Sequence, residues 1–249
     1  MPDLLGADVV GKTWDEFLTW FARVWKQGQH VALVGPTGMG KSTFACGILD
    51  LRKYVLALDP KGGDSTLETS GYERLTQWPL PDKAWDAITE GRPARFIVGG
   101  YSRTLEDRAR LTVLLRDTLE GVFEARGWTV YADEFQLLAD RKMMNLGKQV
   151  ETLLIAARDK RITVLTSYQA PAWVPSAASR QATWVVLWPT RDVDVVKKLA
   201  NVVGRDWRML WSAMKALPPF HVLVVGRNPH EPIVITSAPE RPSRYTKAA

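Results

Sequence analysis

The sequence predicts an α/β fold: a single domain with a largely parallel sheet flanked by helices. Three observations predict it. Apolar, β-branched runs of strand length alternate with amphipathic stretches of helix length along most of the chain. One strand-to-helix junction, Gly35-Pro36-Thr37-Gly38-Met39-Gly40-Lys41-Ser42-Thr43, fits G-x-x-x-x-G-K-[ST] in full. The 249 residues, 46% hydrophobic and 24% charged, can bury a proper core as one large domain or two small ones, and no internal repeat divides them.

Residues 1–27 form a helical lead-in. Thr13 is placed to cap a helix over 14–26, with Glu16 in the capping-box position and Phe17, Leu18, Phe21, Val24 and Trp25 at helical spacing. Gly28 ends it, and the main domain is expected over 28–236. Its first strand is 30–34, where His30 reads as a structural or surface histidine. After the glycine-rich loop a helix covers 43–51, holding Cys46 as a small buried side chain. A strand over 54–58 runs into Asp59-Pro60-Lys61-Gly62-Gly63, where proline and glycine stop it.

Residues 64–92 are polar and broken by Pro79 and Pro81, with Pro93 just beyond; they read as an excursion with one short helix. A strand follows at 95–98, then a long helix over 103–126 with Leu105, Leu111, Leu115, Leu119, Val122 and Phe123 gathered on one side. The buried-strand pattern of 128–132 ends in Asp133-Glu134. Beyond an apolar continuation over 135–139 and the basic loop Arg141-Lys142-Met143-Met144-Asn145, a helix is expected over 146–160. Strands at 162–167 and 182–187, helices at 192–203 and 207–217, and strands at 220–225 and 232–235 complete the domain. The basic Pro/Ser tail, 237–249, is expected to be flexible.

The glycine-rich loop carries the clearest chemistry. Gly35, Gly38 and Gly40 let the backbone wrap closely, so that the N–H groups from Gly35 through Thr43, Pro36 excepted, and the start of the next helix point at phosphate oxygens. Lys41 then reaches the β- and γ-phosphates, and the Ser42 hydroxyl completes a Mg²⁺ shell. ATP and Mg²⁺ are therefore the expected cofactors. Asp133, at a strand's C-terminal end, can hold the metal's water shell beside Ser42, and Glu134 can orient or deprotonate an attacking water. A small-molecule kinase, whose nucleophile is the acceptor substrate, needs no such glutamate. No Asn-Lys-x-Asp guanine-reading motif occurs. Gln169, after the 162–167 strand, can donate to the γ-phosphate or the lytic water; the same position also reads as a loop amide satisfied by backbone.

Charge and cysteine content bound the partners. The net charge of +6 and pI of about 9.5 suit a polyanionic partner. Cys46 is the only cysteine, which excludes an intramolecular disulfide and a cysteine-based zinc site. No apolar run reaches membrane-span length and no leader pattern opens the chain, so the expectation is a soluble, cytoplasmic protein.

Four segments taken together resemble a family. Residues 35–43, Leu58-Asp59-Pro60-Lys61-Gly62, Tyr131-Ala132-Asp133-Glu134, and the stretch from Ala157-Arg158 through Ile162 to Thr166-Ser167-Tyr168-Gln169-Ala170-Pro171 resemble the FtsK/HerA superfamily of DNA-pumping ATPases. The match spans roughly residues 30–190. It implies a single RecA-like (ASCE) P-loop NTPase domain whose Gln169 senses the γ-phosphate. Tyr168 stands where the family usually has threonine and Ala170 where it often has arginine, so no role tied to that arginine transfers. With little beyond a motor core, the chain looks most like the compact genome-packaging ATPases of membrane-containing icosahedral viruses.

The resemblance implies double-stranded DNA as partner, a homo-oligomeric ring, hexameric in such motors, and a viral capsid vertex as docking point. It also implies an arginine finger acting on the neighbouring subunit's nucleotide. Arg158 matches the family's Ala-Arg position, and Arg180 and Arg191 flank the next strand; each reads equally as a solvated arginine. DNA contacts are expected from Arg141, Lys142 and Lys148, then from Arg158, Lys160 and Arg161, although such clusters also form ordinary charged surface. The eleven tryptophans suit core or subunit interface as well as base stacking. The alternatives are a conjugation, secretion or phage-assembly coupling ATPase and, from another class, a P-loop small-molecule kinase.

Overall fold

The computed structural model describes residues 9–237 apart from 64, 101, 157 and 158. Its strands are β1 (Val9–Gly11), β2 (His30–Val34), β3 (Tyr54–Asp59), β4 (Glu73–Leu75), β5 (Ala94–Gly99), β6 (Thr129–Ala132), β7 (Thr163–Tyr168), β8 (Ala182–Leu187), β9 (His221–Gly226) and β10 (Ile233–Ser237). Its α-helices are α1 (Trp14–Val24), α2 (Lys41–Leu49), α3 (Ser65–Thr69), α4 (Asp82–Thr89), α5 (Leu105–Ala125), α6 (Phe135–Ala139), α7 (Gly147–Ala156), α8 (Ala177–Arg180), α9 (Val193–Val203) and α10 (Trp207–Lys215). A 3₁₀ turn covers Pro171–Trp173.

All ten strands join one sheet in the order β1-β10-β9-β8-β2-β7-β6-β3-β5-β4. Among them β9 alone runs against the rest, pairing antiparallel with both β8 and β10. A six-residue link between β9 and β10 permits only a hairpin, whereas the parallel pairs need helical crossovers. The central strands β2, β7 and β8 are buried along almost their whole length, as strands covered on both faces must be.

Each face has its own core. One joins Val130, Ala132, Leu115, Leu119, Val150 and Leu153, seating α5 and α7 against the sheet; the other joins Phe17, Phe21, Phe44, Ile48 and Tyr131, seating α1 and α2. The Thr13–Glu16 capping box forms as the spacing predicts: the Thr13 N–H donates to Glu16 at 2.8 Å, and the Glu16 N–H returns to the threonine hydroxyl at 3.4 Å. A second box, Thr104 with Asp107, starts α5. His30 is structural. Its Nδ1 accepts from the Val164 N–H at 3.0 Å, so the ring proton sits on Nε2, which donates to the Leu154 carbonyl at 3.1 Å.

The structure corrects several element expectations. The 64–92 excursion holds two short helices and an edge strand, β4, which pairs parallel with β5. The lead-in contributes β1, paired with β10 from the other end of the chain. Leu105 does not join the apolar side of α5: it is the first helical residue, lies at the flank of the stripe formed by Leu111, Leu115 and Leu119, about 80° round the helix from Leu115, and is 84% exposed. The short helix α8 was also not anticipated.

Candidate active site

Strand order assembles the site. Because β2, β7 and β6 are adjacent and parallel, their C-terminal ends open on one edge, where ligands bind in open α/β sheets. Val34 pairs with Tyr168 and Ala132 with Thr166, which sets Gly35 beside Gln169 and Asp133 slightly lower on the same edge. On the far side of β6, Leu58 pairs with Ala132, so Asp59 arrives next to Asp133. The result is a cleft of about 300 Å³ lined by the phosphate-loop residues Thr37, Gly38, Gly40, Lys41 and Ser42, by 59–63, and by Thr66, Asp133, Glu134, Gln136, Ser167, Tyr168 and Gln169.

The phosphate loop has the backbone its glycines allow. Gly38 and Gly40 have φ of +79° and +86°, in the left-handed region that favours glycine. Gly35 is glycine for a different reason: a side chain there would collide with Trp188, whose Cγ would lie 3.1 Å from the added carbon. Pro36 and Thr37 are exposed at the loop's tip, Met39 half-buried beneath it, and Thr43 is buried in the first turn of α2. The Lys41 ammonium donates to the Gly35 and Pro36 carbonyls at 2.8 Å each. Burial draws its pKa below the ordinary lysine range, and the negative charges of Asp133 and Glu134 oppose that shift.

The two acidic residues differ in setting. Asp133 is 8% exposed and accepts a hydrogen bond from the Tyr131 phenol at 2.7 Å. Glu134 has φ +44° and ψ +54°, a conformation uncommon outside glycine, asparagine and aspartate, which turns its side chain out of the strand and across the cleft. There it is ion-paired with Lys61. The loop carrying Lys61 is fastened below: Asp59 Oδ1 accepts from the Gly62 N–H at 2.9 Å, and Arg74 lies 3.6 Å from Asp59 Oδ2 while donating to the Gly99 carbonyl at 2.7 Å. Gln169 Nε2 donates to the Thr37 hydroxyl at 2.7 Å, bridging the β7 end to the phosphate loop. The Ser167 hydroxyl and Gln136 Oε1 are buried on the cleft's lining with no protein partner among the described residues.

Lys41, Ser42, Asp133, Glu134 and Gln169 thus meet in one cleft. The basic residues do not. Arg141 and Lys142 lie exposed in the loop after α6, where Met143 receives a contact from Arg108 at 3.7 Å, and Lys148 lies in the first turn of α7. Because α7 returns the chain to the N-terminal end of β7, Lys160 and Arg161 lie at the opposite edge of the sheet, with Lys160 stacked over Phe123 at 3.6 Å. Arg180 closes α8 before β8, also at that far edge, and its carbonyl accepts from Arg227; exposed Arg191 follows β8 on the cleft edge. Arg158 lies outside the described residues.

Two residues gained functional interest only from the structure. Lys61 stood in the motif without a role, because its pairing depends on β3 lying next to β6. Tyr131 read as one more apolar strand residue. It is fully buried and donates to Asp133 at 2.7 Å. Burial first, and then the Asp133 charge, hold its pKa well above the ordinary tyrosine range, so the phenol stays a donor.

No family model and no curated protein matches the chain. Among solved structures it is similar to B204, the DNA-packaging ATPase from Sulfolobus turreted icosahedral virus, at 16% identity and a TM-score of 0.57 over 84% of this chain and 97% of that one. The genome packaging NTPase B204 from Sulfolobus turreted icosahedral virus 2, in complex with AMPPCP, matches at 17% identity and a TM-score of 0.54 over 83% and 96%. The bacterial conjugative coupling protein TrwBdeltaN70 matches at 11% and 0.55 over 87% and 86%. At these identities the likeness establishes the fold, that of RecA-like P-loop ATPases. No helix among the described residues is long and apolar enough to cross a membrane.

Proposed function

We propose that the chain is an ATP-hydrolysing motor that translocates double-stranded DNA, of the kind that packages a viral genome. The observation that carries this reading is the convergence of Lys41, Ser42, Asp133, Glu134 and Gln169 from three adjacent parallel strands on one phosphate-sized cleft. Glu134 argues for water as the nucleophile, since it lines the cleft beside the phosphate loop, where a kinase would need room for a phosphoryl acceptor. For the DNA step the support is the basic balance, the exposed loop with Arg141 and Lys142, and fold likeness to a DNA-packaging ATPase.

In the proposed reaction the loop N–H groups and the start of α2 receive the phosphates, and Lys41 exchanges its two carbonyl partners for phosphate oxygens. Glu134 accepts a proton from water as that oxygen bonds to the γ-phosphorus and ADP leaves. Gln169, already bridged to Thr37, is the group that registers the γ-phosphate. Ser42 and Asp133 suit Mg²⁺: one hydroxyl and one carboxylate at the cleft leave the rest of the shell to phosphate oxygens and water, as this ion prefers. When bound, the ion would neutralise charge on the β- and γ-phosphates. A ring, hexameric by resemblance, would supply the trans arginine, with Arg158 or Arg191 as candidates.

The test is the ATPase rate of the purified protein with and without double-stranded DNA over a salt series. Stimulation that falls as salt rises is expected, because backbone contacts release counterions. A rate indifferent to DNA at every salt concentration, with no ring seen by mass or imaging, overturns the motor reading.

A further inference from the structure

Lys61 gives the cleft a second lysine, carried on a different strand end from the phosphate loop. Its backbone is anchored: Leu58 pairs with Ala132 just before it, and the Asp59 carboxylate accepts from the Gly62 N–H at 2.9 Å just after it. The side chain itself is 56% exposed, and its ammonium meets Glu134 Oε1. Glu134 reaches that point because its left-handed backbone, φ +44° and ψ +54°, turns the carboxylate out of the strand line. Both residues line the cleft together with Gly38, Lys41 and Ser42.

Donors and charges point to a use for this lysine. An ammonium has three N–H donors. Lys61 gives one to Glu134, and among the described residues no other acceptor takes the remaining two. The described lining holds three carboxylates, Asp59, Asp133 and Glu134, against two ammonium groups, Lys41 and Lys61. An incoming polyphosphate therefore meets an excess of negative charge. On the ATPase reading above, Glu134 stands one water away from the γ-phosphate, so a cation bonded to Glu134 lies within about two hydrogen-bond lengths, roughly 5–6 Å, of that phosphate. On that reading we propose that Lys61 is a specificity-determining residue that recognises the third phosphate. It keeps one donor on Glu134 and gives another to a γ-phosphate oxygen, and so holds side by side two anions that would otherwise repel. ADP offers it no group at that position.

The experiment uses the whole chain and the substitution Lys61→Met, which removes the ammonium and keeps an unbranched stem. Affinities for a fluorescent, non-hydrolysable ATP analogue and for the matching fluorescent ADP are measured at one fixed excess of Mg²⁺. The expected result is a Kd for the ATP analogue raised about tenfold or more, as the loss of one charge-assisted hydrogen bond implies. The Kd for ADP should stay within about twofold of the parent, which also shows that the phosphate loop is still folded. A second arm repeats Lys61→Met beside Glu134→Gln, where the carboxylate charge that Lys61 offsets is gone. The loss for the ATP analogue should be smaller there by about threefold or more. An ATP-analogue Kd within twofold of the parent, an equal loss for ADP, or an undiminished loss beside Glu134→Gln overturns the inference while leaving the ATPase reading in place. A parent protein that binds neither nucleotide overturns both.

Discussion

Replacing Glu134 by glutamine separates catalysis from structure more cleanly than any other change at the site. Shape and volume are kept and one negative charge is lost. The stability cost follows from the surroundings: Glu134 is 23% exposed and its partner Lys61 56% exposed, so solvent screens the pair. Such pairs contribute about 0–1 kcal/mol, and a glutamine oxygen still accepts from the ammonium. The left-handed backbone at Glu134 is no harder for glutamine than for glutamate, so no new strain enters. The melting temperature should therefore move by no more than about 4 °C. Hydrolysis is different, because loss of a general base typically costs about 10²- to 10⁴-fold, or about 3–5 kcal/mol of barrier. Single-turnover hydrolysis and binding of a fluorescent ATP analogue, measured side by side, check both halves. A rate within about threefold of the parent protein shows that Glu134 is not the base. A rate lost together with nucleotide binding shows that the glutamate shapes the pocket instead of activating water.

Gly35→Ala should weaken nucleotide binding and lower stability together. The new methyl group meets Trp188, itself fixed by its N–H to the Val34 carbonyl at 3.0 Å and by edge packing on Phe44, and overpacking of this sort costs about 1–3 kcal/mol. Unchanged thermal melting and affinity would contradict that steric reading. His30→Ala leaves the Val164 N–H and the Leu154 carbonyl buried without their partner, at about 1–3 kcal/mol each, so denaturant unfolding should show a loss of at least about 2 kcal/mol with ATP affinity retained. Arg141→Gln with Lys142→Gln should leave ATPase activity without DNA intact, weaken DNA binding, and reduce the slope of log affinity against log salt by about one per phosphate contact removed. An unchanged slope would move the DNA contacts elsewhere on the surface.

Much of this was legible in the sequence because the informative residues sit on long, regular elements. Six-residue buried strands such as β3 and β8 announce themselves, and the phosphate-loop signature requires the strand and helix that flank it. The three-residue strands β1 and β4 were not legible, since three residues show no period and their pairing partners lie elsewhere in the chain: β1 is held by β10, more than two hundred residues away. Leu105 was grouped with the apolar side and still faces solvent, because it lies at the flank of that stripe in the first turn of α5, and periodicity does not say how much of a helix its neighbours cover. The link from Lys61 to Glu134 was invisible for the same reason, as it needs β3 placed beside β6.

Strand register makes the site sensitive to a single residue. Along β6, Val130 and Ala132 belong to the core under α5 and α7, while Tyr131 belongs to the core under α2. Asp133 continues the Tyr131 side and so faces the phosphate loop. A slip of one residue against β7 would reverse every side chain, burying the Tyr131 hydroxyl in the wrong core and turning Asp133 away from Ser42. The alternation of β6 therefore specifies the register that brings the carboxylate to the cleft, and Tyr131, as part of that alternation, also donates the hydrogen bond that holds it there. This double duty is why the aromatic residue in the strand is as informative about the site as the acidic pair that follows it.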